Sequence, residues 1–234
     1  MIGSGYIIIF LVFVVISWLI GAQLKSKFKQ YSKVPMNYGL TGKEVAEKML
    51  NENGIFDVKV VSVQGQLTDH YNPATKTVNL SHDVYYGNSV ASAAIAAHEC
   101  GHAVQHAKAY SMLQFRTALV PIQNISSTIM NVIFTMMFVG VFIFHSFINI
   151  DLALYIIIGC YAVFTLFAFV TLPVEIDASN RALMWLNSSG ITGYGTHEKA
   201  KDALKWAAYT YVVAALSSLA MLLYFIFMLL GRRD

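Results

Sequence analysis

The chain has 234 residues, 56% of them hydrophobic and only 12% charged, with a net charge of +3. So few charges exclude an ordinary soluble domain of this length and place the chain in the membrane class. No basic tract alternates with exposed aromatics, so no nucleic acid is expected among the partners.

In chain order, residues 5–22 are the first stretch able to cross a hydrocarbon core, which takes about 20 apolar residues as a helix. Lys25, Lys27, Lys29 and Lys33 follow without a small-residue cleavage site, so the stretch reads as an anchor and not as a removed signal peptide. Residues 23–118 are polar and begin with helix grammar. Thr41 and Glu44 have capping-box spacing, Val45, Met49 and Leu50 mark an apolar face, and Gly54 is a stop. Alternating segments come next: a strand beginning at Val58, Val60 and Val61, then a pair, 67–71 and 77–80, around the turn Asn72-Pro73-Ala74-Thr75. The Ala-rich run 89–109 predicts a helix capped by Asn88 or Ser89.

Residues 122–145 and 152–172 are the second and third expected spans. Gln123 and Asn124 open the second, either lining a wet cavity or capping the interface. Phe138, Phe142, Phe144, Phe164, Phe167 and Phe169 are expected to face lipid or pack. A second polar stretch, 173–206, precedes a fourth span, 207–230, which ends on Arg232 and Arg233. The expected fold is a mainly α, integral membrane protein of about four transmembrane helices with a small α+β cytoplasmic domain, the whole forming a single domain over 1–234. Lys25, Lys27, Lys29, Lys33, Lys108, Arg116, Arg181, Lys199, Lys201 and Lys205 flank the spans on the side of the polar stretches. By the positive-inside rule that side is cytoplasmic and both termini are outside; Arg232 and Arg233 weigh mildly against this.

The chemistry lies in the Ala-rich helix. His98-Glu99-Cys100-Gly101-His102 is an H-E-x-x-H motif, and i, i+4 spacing puts both imidazoles on one helix face, one turn apart, ready to share a tetrahedral zinc. Glu99 is rotated away from the pair, which suits a general base. In the chemistry that this pattern supports, one catalytic zinc lowers the pKa of a water, Glu99 takes its proton, and the oxygen attacks a peptide carbonyl.

A catalytic zinc takes a third protein ligand. The extended motif with a third His would need one at position 108, which is Lys108. A carboxylate is the next choice. Asp151 and Asp234 would lie across the membrane, whereas an antiparallel hairpin of spans two and three returns the chain to the motif's side at Pro173, a residue suited to a helix's first turn. Glu175 and Asp177 emerge there. Glu175 is taken as the ligand, although the hairpin does not by itself separate the two.

Three segments, 67–73, 96–105 and 172–179, together resemble the YugP-like membrane zinc metallopeptidases of bacteria, with Leu67-Thr68-Asp69-His70-Tyr71, Ala97-His98-Glu99-Cys100-Gly101-His102 and Pro173-Val174-Glu175-Ile176-Asp177-Ala178 as their centres. The third segment is similar to the E-x-x-A-D pattern of HtpX-like and CaaX prenyl proteases. That resemblance implies a gluzincin-type fold, proteolysis, and a zinc ligand at Glu175, with Ala178 on the pattern's Ala. The pattern's Asp falls on Ser179, so its outer contact passes to Asp177 or Asn180.

Other candidates have plainer readings beside the functional ones. His70 is either an oxyanion donor or turn chemistry, and the strand carrying it could accept an extended substrate by β-augmentation. His106 has drifted around the helix from the ligand face. His82 and His197 read as solvated loop residues, and Cys100 as a packing residue; Cys160 is remote, so no disulfide is expected. The expected function is a membrane-bound zinc metalloendopeptidase. Its partners are a protein or peptide substrate, the lipid bilayer and, optionally, further copies of the chain. The alternatives are a catalytically silent zinc-binding scaffold, which has no need of Glu99, and an intramembrane-cleaving protease, which needs an acid within a span such as the third. A zinc transporter is disfavoured because no span carries a paired ionisable residue.

Overall fold

The computed structural model describes the backbone of residues 4–36, 38–143 and 150–231, and the side chains of 5–36, 38–136 and 151–231. The elements run α1 (Ser4–Tyr31), α2 (Gly42–Glu52), β1 (Lys59–Val63), β2 (His70–Asn72), β3 (Thr77–Ser81), α3 (His82–Tyr85), α4 (Val90–Ala107), α5 (Ser111–Ile143), α6 (Ile150–Ser188) and α7 (Tyr194–Leu230). Phe144, Arg232, Arg233 and Asp234 lie outside the described residues, as do the side chains of Phe138 and Phe142.

Local chemistry sets the short elements. At the start of α2 the Thr41 hydroxyl accepts from the Glu44 amide, and the Glu44 carboxylate accepts from the Thr41 amide at 2.8 Å. Gly54, at φ +71°, lets the chain leave the helix at no steric cost. Ser89 caps α4 by accepting from the Ser92 amide. Asn72 Oδ1 accepts from the Ala74 and Thr75 amides, an Asx turn that sends β2 into β3.

The sheet order is β1-β3-β2, with β1 parallel and β2 antiparallel to β3. The strand expected over 67–71 is shorter and starts only at His70. Gly65 (φ +103°) and Leu67 (φ +57°) hold the preceding backbone in left-handed geometry, which no ladder accommodates.

Among the described residues, four helices are long and apolar enough to cross a membrane: Gly5–Tyr31, Ser111–Met136, Asp151–Ser188 and Tyr194–Leu230. Each outruns its expected span. At 39 residues, α6 is about 58 Å long, nearly twice a hydrocarbon core of about 30 Å. Pro173 does not begin a helix, as the sequence reading expected, but lies inside α6. It forfeits one backbone bond, yet the helix runs on through it, with Val170 and Val174 buried on either side. His197 is likewise on a helix, α7, half-buried with its Nδ1 3.1 Å from the Thr192 hydroxyl.

The chain divides into two compact units. In the first (1–18, 115–172 and 211–234), Met130, Ile157, Cys160 and Phe225 form a buried cluster with Tyr6 and Phe164 against it. In the second (19–114 and 173–210), Val45, Met49 and Leu50 of α2 pack with Val78 and Leu80 of β3, Ala93, Ala97 and Ala103 among the alanines of α4, and Ala182 and Leu186 of α6.

Candidate metal centre

Within the second unit α4 is built to lie close to α6. A Cβ on Gly101 would sit 2.6 Å from the Ala178 carbonyl oxygen, so only glycine admits this approach. The approach brings Glu175 of α6 onto the face of α4 that carries the two histidines. Glu175 Oε2 is 3.4 Å from His98 Nε2 and 3.5 Å from His102 Nε2. One ligand atom from each of the three residues lies within 4.8 Å of the others. Two imidazole nitrogens and one carboxylate oxygen are the donor set of a catalytic zinc that leaves one position open.

The outer nitrogens are also engaged. His98 Nδ1 lies 3.1 Å from Ser179 Oγ, and His102 Nδ1 lies 3.0 Å from Gln105 Oε1. Gln105 Nε2 donates at 2.8 Å to the Val174 carbonyl and to Asp177 Oδ2, which also accepts from Arg181 Nε at 2.6 Å. Burial pulls the His102 pKa down, but the Glu175 carboxylate, with the Glu99 charge and Gln105, outweighs it and leaves the ring above its ordinary value.

Glu99 is buried and turned toward β2, where Oε2 accepts the Tyr71 amide at 3.0 Å. The Tyr71 hydroxyl in turn lies 2.9 Å from His106 Nδ1. Asp69 accepts from the Ser81 amide at 2.7 Å and the Ser81 hydroxyl at 3.1 Å. Its pKa is nevertheless raised, first by burial and then by the charge of Glu99. His70 is exposed, with Nδ1 2.8 Å from the Thr68 carbonyl. Cys100 is fully buried and donates to the Ala46 carbonyl; burial, then the Glu99 charge, pushes its thiol well up, so it is an inert packing group.

Residues 6–230 match the model of a family described as "Putative neutral zinc metallopeptidase". The chain belongs to this family. Among the family's relatives, a Bacillus subtilis (strain 168) protein described as "Putative membrane protease YugP" is 41% identical over 212 residues, covering 91% of each chain. No solved structure matches. Membership in a zinc metallopeptidase family supports a peptidase role and a zinc requirement, and the four apolar helices support residence in a membrane.

Of the residues singled out by sequence, His98, His102 and Glu175 come together, Glu99 lies beside them on α4, and Asp177 reaches His102 through Gln105. Asn180 is exposed, and the contact with His98 is made by Ser179, the position where the related pattern carries an acid. Sequence reasoning passed over Gln105, although it stands three residues after His102 and so on the ligand face. It also passed over the Tyr71 amide, which no side-chain pattern reveals.

Proposed function

We propose that this chain is a membrane-bound zinc metalloendopeptidase in which His98, His102 and Glu175 hold a single zinc and Glu99 is the general base. Zinc in such a site supplies Lewis acidity, lowering the pKa of a water and polarising the scissile carbonyl. Glu99 accepts the proton of the attacking water and passes it to the leaving amine. The Tyr71 amide holds one Glu99 oxygen, leaving the other for that transfer. In this reading an extended peptide lies along β2 by β-augmentation, and His70 on that strand donates to the oxyanion.

The observation that carries this reading is the convergence of Glu175 on both Nε2 atoms from a different helix. A silent scaffold has no use for a buried carboxylate next to its ligands. We further propose that residues 1–234 act as one multi-pass metallopeptidase domain of gluzincin type, with the site at the cytoplasmic face on the side of the lysine-rich polar segments. Zinc content and casein hydrolysis of the purified protein test the mechanism. Glu99→Gln is expected to keep zinc and lose about 100- to 10,000-fold in activity, the usual worth of a general base. Glu175→Ala is expected to lose the zinc. Full activity of Glu99→Gln would remove the mechanism.

A further inference from the structure

The two histidines are held by different kinds of neighbour, and the difference assigns a role to Gln105. Ser179 Oγ can either donate to or accept from His98 Nδ1, so that contact admits both ring tautomers. Gln105 has no such freedom. It is fully buried, and its amide faces three groups: the Val174 main-chain carbonyl, the Asp177 carboxylate and His102 Nδ1. A carbonyl oxygen only accepts, and Asp177 Oδ2 already accepts from Arg181. The NH2 group must therefore point at Val174 and Asp177 on α6. The amide oxygen is left for His102, and an oxygen there requires a proton on Nδ1.

We propose that Gln105 is a positioning residue that uses α6 backbone geometry to fix His102 as the Nδ1–H tautomer, presenting the Nε2 lone pair to the metal. The same amide ties α4 to the α6 turn that carries Glu175, so one side chain sets both the chemical form of one ligand and the placement of another. This deepens, and rests on, the reading of the three residues as a metal centre. The side chain touches neither substrate nor metal; its effect passes through His102.

Two substitutions split the two halves of that role. Gln105→Met, close in size, removes both halves. Gln105→Glu keeps an acceptor for Nδ1–H but cannot donate to Val174 or Asp177. In full-length protein in detergent, zinc affinity is read by competition with a chelator and apo stability by thermal melting. Gln105→Met is expected to weaken zinc binding about 10- to 100-fold, the usual effect of losing such an outer partner, and Ser179→Ala to weaken it less. Gln105→Glu, which loses only the tie to α6, is expected to melt lower without zinc and to weaken zinc binding less than Gln105→Met does. Equal losses of zinc affinity in the Met and Glu variants, or none in the Met variant, would overturn the proposal. One measurement needs no variant: nitrogen NMR of histidine-labelled, zinc-free wild type at alkaline pH should show the His102 proton on Nδ1, and a proton on Nε2 would also overturn it. Wild type that takes up no zinc would sink the metal-centre reading, while the tautomer would still decide the role of Gln105.

Discussion

The two units handle apolar side chains in opposite ways. In the first, Ile7, Ile8, Phe10, Leu11 and Val12 of α1 are about half exposed, and the buried cluster is small. In the second, Val45, Met49, Val78 and Leu80 are essentially inaccessible, and buried polar side chains such as Ser81, Glu99 and Gln105 are hydrogen-bonded. A surface of the first kind is stable only where the solvent is itself apolar; a core of the second kind is what water demands. The difference shows where chemistry can be built. A buried carboxylate such as Glu175 is tolerable where two imidazoles face it, and α6 carries it there from an apolar stretch with no acid between 152 and 172.

Substitutions that exchange the two solvents should break this comparison most visibly. Leu80→Ala is expected to cost about 2–5 kcal/mol as a core cavity, against a few tenths for Leu11→Ala; similar melting losses in detergent would erase the contrast. Leu11→Arg brings a comparable cost to the first unit, roughly 2.5–3.5 kcal/mol of apparent insertion energy in a glycosylation-reporter assay. Wild-type insertion of that variant would contradict a spanning role for α1. Gly101→Ala forces a Cβ against the Ala178 carbonyl and is expected to cost about 1–3 kcal/mol. Because it pushes α6 from α4, it should also weaken zinc binding, and retained affinity would show that the helix contact does not set the ligands. A smaller effect than these is expected of Thr41→Ala, about 1 kcal/mol from the lost cap of α2.

Acidity probes the polar interior alone. The folded His102 pKa lies above its ordinary 6.5, so its pairing with Glu175 stabilises the zinc-free protein fully below that ordinary value, and the benefit is lost as pH rises through the raised one. Zinc requires the neutral ring, so its affinity should move oppositely, falling as pH drops through the raised value. Parallel trends for zinc-free melting and zinc affinity would separate His102 from the metal.

The sequence was most legible where one local rule dominates. Capping boxes, glycine stops and a 20-residue apolar run need no knowledge of the rest of the chain, and α2, α4 and the four apolar helices follow from them. Proline at 173 is ambiguous by local rule, since it suits a helix's first turn but is also tolerated inside a long helix at the cost of one backbone bond. The parallel pairing of β1 with β3 was invisible, since strand order depends on non-local closure. At the site, the motif itself is readable, whereas its supports are a main-chain amide at Tyr71, a hydroxyl at Ser179 and an amide at Gln105. Those groups acquire meaning only when α4, α6 and β2 meet.

X-ray absorption at the zinc edge of the purified, zinc-loaded protein tests the central claim most directly. The account predicts nitrogen and oxygen neighbours at about 2.0–2.1 Å, outer scattering from two imidazole rings, and the loss of this shell in the His98→Ala protein. A sulfur neighbour at about 2.3 Å, which would implicate Cys100, or no stoichiometric zinc would contradict it.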